Sequence, residues 1–83
     1  MKVRKSFEYK RITLRIVERE EPYMNSPDPV KVTRVLAPNG GSVPVKIQRK
    51  QTLKSIQADT IEMLDSFAVR GADVVNELTK HIE

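Results

Sequence analysis

Residues 7–19 read FEYKRITLRIVER, and the parity of this stretch decides which side chains a core would claim. Its even positions give Ile12, Leu14 and Ile16, an aliphatic row. Its odd positions give Phe7, Tyr9, Arg11, Thr13 and Arg15, which mix rings with guanidinium groups. Successive strand side chains point to opposite faces. One strand over residues 5–19 would therefore bury the aliphatic row and turn the rings and cations to solvent. At about 3.3 Å per residue that strand is long for a small sheet, so a bend or bulge is expected within it.

Beyond it, residues 20–29 (EEPYMNSPDP) hold three prolines and the Asp28-Pro29 pair, which deny regular structure and favour a turn. Tyr23 and Met24 make this loop apolar enough to pack as a lid or to touch a partner. Residues 30–37 (VKVTRVLA) are β-branched and read as the second strand. The parity of Val30, Val32 and Leu36 marks one face as core, which would turn Arg34 inward unless a bulge intervenes. Residues 38–42 (PNGGS) are a hairpin turn, because Asn and Gly accept positive φ. Residues 43–48 (VPVKIQ) are the third strand, with Val43, Val45 and Ile47 on one face. Pro44 cannot donate to a ladder and places this strand at an edge.

From Thr52 the apolar period changes from 2 to 3.6. Leu53, Ile56, Thr60, Leu64, Phe67, Gly71, Val74 and Leu78 step by threes and fours, with Ile61, Ala68, Val75 and Ile82 beside them. Thr52 is the expected N-cap. The helix is expected over residues 52–82, with Gly71 the point where it would kink or break. The chain is thus read as one small basic α+β domain over residues 1–83. A three-stranded antiparallel sheet within residues 5–48, in β-β-β-α order, is covered on one face by a long C-terminal helix. The stripe looks too wide for three short strands, so a homodimer through Leu64, Phe67, Gly71, Val74 and Leu78 is expected.

Eighty-three residues leave room for one core, and the absence of cysteine removes disulfides and thiolate metal sites. No apolar leader or membrane-length run is visible, so a soluble cytoplasmic protein is expected. Charge is uneven. Residues 1–54 hold 13 Lys/Arg against 5 Asp/Glu, while residues 55–83 hold 2 against 6, for an overall +4. An anionic partner for the first part and a solvated acidic helix face follow.

Enzyme chemistry finds no constellation here. There is no cysteine nucleophile, and the one histidine, His81, falls in the last expected turn, where a cation suits the helix dipole. Asp59, Glu62 and Asp65 recur at threes, but on the polar side of the wheel. Residues 40–42 lack the lysine and following helix of a phosphate loop. Neither catalysis nor a cofactor or metal is expected.

What remains is binding. With Ile12, Leu14 and Ile16 inward, Phe7, Tyr9, Arg11, Arg15, Lys31 and Lys46 would share an open sheet face, extended by Arg49 and Lys50. Rings that stack bases beside cations that follow phosphates suit single-stranded DNA or RNA. The rival is a protein-interaction module, inhibitor or adaptor. It would use the apolar helix stripe and the 20–29 loop, with the basic face meeting an acidic protein.

Overall fold

A computed structural model describes residues 1–25 and 27–80. The elements are β1 (Lys2–Tyr9), β2 (Ile12–Glu21), β3 (Val30–Leu36), α1 (Leu53–Val69) and α2 (Val74–Thr79). The strands form one antiparallel sheet in the order β1-β2-β3, and α1 and α2 cover one face of it. The class is α+β as expected, but the three strands are not the three expected from the pattern.

Residues 7–19 belong to two strands, not one. Lys10 and Arg11 take φ of 46° and 72° and close a two-residue hairpin, so Tyr9 pairs with Ile12 and Phe7 with Leu14. Positive φ at both central residues is the turn geometry that matches the twist of flanking strands. Stepping from residue 9 to residue 12 exchanges odd for even. Phe7 and Tyr9 therefore lie on the same face as Ile12, Leu14 and Ile16, beneath the helices. A one-residue change of register turns every side chain over, and here the turn has that effect. Farther along, the pairing shifts between Val3 and Lys5, leaving Arg4 as the extra residue of a bulge.

On β3 the expected parity is also reversed. Val35 sits opposite Ile16 and enters the core, whereas Arg34 sits opposite Val17 on the other face. Val30, Val32 and Leu36 share that outer face. They are apolar because the outer face keeps a small hydrophobic layer of its own: Val17 and Leu36 are buried, yet stand outside the main core. Val17 has Val3 and Arg34 across from it and Arg15 and Arg19 two residues away, so long side chains surround it.

The turn at residues 38–42 forms as expected. Ala37 N–H donates to Gly41 C=O at 2.8 Å, Gly40 has φ of +84°, and Leu36 bridges Ser42. Residues 43–48 do not become a strand. Val43 N–H donates to Val35 C=O at 2.8 Å, but the next ladder donor, Val45 N–H, turns back onto Val43 C=O at 2.8 Å. Pro44 lies inside that tight turn, and its fixed φ suits it. The apolar face was nonetheless read correctly: Val43 is buried, and Val45 and Ile47 pack against the core.

Thr52 caps α1, its Oγ1 accepting from Ser55 N–H at 3.1 Å. The helix stops at Val69. Ala72 N–H reaches back to Phe67 C=O, Gly71 N–H to Ala68 C=O, and Gly71 adopts φ of +94°. This is the paired bonding of a Schellman C-cap, so Gly71 ends the helix rather than kinking it. Asp73 then caps α2, accepting from Asn76 N–H at 3.1 Å. The final residues expected in the helix, His81 and Ile82 among them, lie outside the described residues.

Candidate interaction groove

The eight residues read as a nucleic-acid face do not share a face. Phe7 and Tyr9 are 7% and 5% exposed and belong to the core. Tyr9 Oη donates to Asp65 Oδ1 of α1 at 2.8 Å. Burial of the ring, followed by the Asp65 carboxylate, pushes the phenol up to about 12. Arg11 is exposed in the β1–β2 turn, at the end of the sheet opposite the start of β3. Arg15 is half-buried on the outer sheet face, opposite Leu36. Lys46 lies beside α1 with Asp59 and Glu62. The rings needed for stacking are thus withdrawn from the surface, and the cations are dispersed.

Three of the eight do converge. Lys31, Arg49 and Lys50 line an open groove of about 660 Å³ between residues 30–34 of β3 and residues 47–51, and Arg34 joins them. Among the described residues, Lys31, Arg49 and Lys50 are in no ion pair. One wall is a tight turn. Gln51 N–H donates to Gln48 C=O at 3.2 Å, Gln48 N–H donates to Gln51 Oε1 at 2.9 Å, and Lys50 has φ of +64°. Gln51 is anchored in turn: its Nε2 donates to Asp59 Oδ2 at 2.6 Å and to Ser55 Oγ at 3.0 Å. Arg49 and Lys50 therefore stand on a braced loop. Two of the three carboxylates spaced along the helix, Asp59 and Asp65, are occupied in holding Gln51 and Tyr9.

The other wall is the outer edge of β3. Val35 C=O and Ala37 N–H point to that edge, since both bond to the 41–43 segment. Strand alternation turns the backbone groups of Thr33 and Lys31 the same way. Continued pairing would have brought Val45 N–H to Thr33 C=O, but Val45 is diverted onto Val43. No backbone hydrogen bond joins residues 30–34 to residues 44–51. Only Arg34 Nη1 approaches Thr33 C=O, at 3.5 Å.

On the outer face, Arg34 belongs to a small network. Glu21 accepts from Arg19 Nε at 2.6 Å and from Arg34 Nη2 at 3.1 Å, and Arg19 Nη2 reaches Ser42 Oγ at 3.4 Å. The Arg19 hydrogen bond foremost, then that of Arg34, holds the Glu21 carboxyl below its usual range. Sequence reasoning missed Arg34 because it took the wrong parity for β3. Its position between Val32 and Leu36 was the available signal.

Of the residues expected at a dimer interface, Leu64 is 2% exposed and Val74 is also buried, both within this chain's own core. They line the base of a small cleft rather than standing on the surface. Phe67 remains 37% exposed and lines that apolar cleft, of about 190 Å³, with Leu64, Val74, Leu78, Pro44 and Ala72. Gly71 is exposed as the helix C-cap. Tyr23 and Met24 are exposed on the loop after β2. Among the described residues, no helix is long and apolar enough to cross a membrane. No family model, curated protein or solved structure matches the chain.

Proposed function

We propose that this protein is an interaction module that captures an extended acidic segment of another protein in the groove between β3 and residues 47–51. The observation that carries the reading is the convergence of Lys31, Arg34, Arg49 and Lys50 around one open cleft, three of them in no ion pair among the described residues, although Glu20 stands opposite Lys31 on β2. Cations on a braced turn lose little freedom on binding, so their attraction to carboxylates is less offset by ordering cost. Complementary charge also steers encounter and rejects like-charged partners. Apolar floor residues, Ile47 and Ile56, add contact beneath the cations.

Single-stranded nucleic acid is the second reading, favoured by the same cations and by the excess of positive charge over residues 1–54. It ranks lower because Phe7 and Tyr9 are in the core and the described residues that line the groove include no ring. Fluorescence anisotropy decides between them, using a labelled hexapeptide of alternating Glu and Val and a labelled oligothymidylate. The peptide is expected to bind more tightly and to be weakened by salt. The triple variant Lys31→Ala/Arg49→Ala/Lys50→Ala should weaken it about tenfold, since exposed ion pairs contribute about 0.2–1 kcal/mol each. An oligonucleotide that binds more tightly than the peptide, and loses affinity in the triple variant, overturns the acidic-protein reading.

A further inference from the structure

We propose that the captured segment pairs with the outer edge of β3 as a fourth strand, hydrogen-bonding to the backbone of Lys31 and Thr33. This rests on the acidic-segment reading above and adds how the segment is held. The groove has the shape of an interrupted hairpin. The first rungs are made, Ala37 with Gly41 and Val43 with Val35, and the chain then leaves the ladder where Val45 N–H turns back onto Val43. An open groove of about 660 Å³ therefore lies between the edge of β3 and residues 47–51, with donors and acceptors on one side and cations on the other.

The dimensions agree. Strands lie about 4.8 Å apart, rise about 3.3 Å per residue and occupy a layer about 10 Å thick, or roughly 160 Å³ per residue. The groove's 660 Å³ holds about four residues at that size, and β3 offers residues 30–34 along it. A peptide strand satisfies an edge that alternates N–H and C=O, which a phosphate chain cannot, because phosphates are repelled by the carbonyls. Strand addition of this kind draws affinity from main-chain bonds and selectivity from alternate side chains.

Other occupants fit less well. A second copy of this chain, paired edge to edge at β3, would bring two sets of Lys31, Arg34, Arg49 and Lys50 together, and such edge cations oppose self-pairing. The opposite edge, β1, is broken by the bulge at Arg4. An acidic strand instead places carboxylates opposite Arg49 and Lys50 while its backbone meets Thr33 and Lys31.

The test uses the intact chain and the Glu/Val hexapeptide, with N-methyl groups placed on alternate residues in two complementary patterns. One pattern blocks the N–H groups that face β3 and the other blocks those that face away. The first should weaken binding at least tenfold, because it leaves Thr33 C=O without its donor, and the second should change it little. Hydrogen exchange should show the Lys31 and Thr33 amides slowed by the unmethylated peptide, with those of Val32 and Arg34 unchanged. Equal affinity for both methylated peptides, with no new protection at Lys31 and Thr33, overturns strand addition but leaves charge-driven capture standing. If the unmethylated peptide fails to bind at all, the acidic-segment reading itself is overturned.

Discussion

Arg11→Gly tests the hairpin on which the whole core depends. Arg11 sits at the second central position of the β1–β2 turn with φ of 72°, and its side chain is exposed. Left-handed backbone costs an L-residue about 1–2 kcal/mol, and glycine escapes that cost. Glycine also gives back about 0.5–1 kcal/mol through the greater freedom of its unfolded chain. The net expectation is a gain of roughly 0.5–1 kcal/mol, or about 2–8 °C in melting temperature for a domain of this size. Lys10 is kept in the variant, since its Nζ lies 5.5 Å from the centre of the Tyr9 ring. Circular dichroism melts of the two proteins at neutral pH give the comparison. A strand running straight through residues 5–19 predicts the opposite sign, because glycine weakens a strand interior. A lower melting temperature for Arg11→Gly would refute the hairpin, and with it the burial of Phe7 and Tyr9.

The remaining predictions address the core and the helix ends. Tyr9→Phe removes the bond to Asp65 and should cost about 1 kcal/mol at neutral pH, the exposed carboxylate keeping the loss modest. The folded phenol holds its proton up to about 12 against an ordinary value of 10. The stability tied to it is complete below pH 10 and is lost as pH rises from 10 to 12. Urea midpoints should therefore fall over that window in the wild type and stay flatter in Tyr9→Phe. Gly71→Ala should cost about 1 kcal/mol or more through φ of +94° alone, since an added Cβ meets nothing within 4 Å; a gain would mean that the helix continues. Leu64→Ala should cost about 3 kcal/mol and Phe67→Ala less than half of that, and neither loss should depend on protein concentration, because both side chains pack within one chain. Sedimentation at micromolar concentration is expected to show a monomer, and a dimer that Phe67→Ala dissociates would restore the helix stripe as an interface.

The sequence disclosed the class, the order of elements and most of the core. Ile12, Leu14, Ile16, Val43, Ile56 and Leu64 were legible because period 2 and period 3.6 survive locally, whatever the connections. The connections were where it failed. A two-residue turn of Lys and Arg carries none of the Gly, Asn or Asp that announces a hairpin, and it leaves apolar residues at regular spacing on both sides. Alternation therefore ran on unbroken while the faces exchanged, and two buried rings were read as a binding surface. On β3 the error had another cause. Val17 and Leu36 form a second, shallow apolar layer on the outer face, so hydrophobic content no longer identified the core side of that strand.

Besides the cations Lys31, Arg49 and Lys50, Pro44 was a sequence signal that bears on the groove. A residue without an N–H marked the 43–48 segment as an edge, and the fold carries that further, because the chain leaves the sheet at this point. Two consequences follow from the same few bonds. Turning Val45 N–H onto Val43 C=O leaves Thr33 and Lys31 without a neighbouring strand, and the turn at residues 48–51 then sets Arg49 and Lys50 across the opening. An uncharged open edge would invite any strand, including that of an identical chain. With Lys31, Arg34, Arg49 and Lys50 along it, the edge on the proposed reading repels its own copies and favours strands that bring carboxylates. The backbone supplies attachment that any peptide could use, so selectivity rests on the charges. On that logic, replacing Lys31, Arg49 and Lys50 should relax discrimination between acidic and neutral peptides more than it lowers affinity for neutral ones.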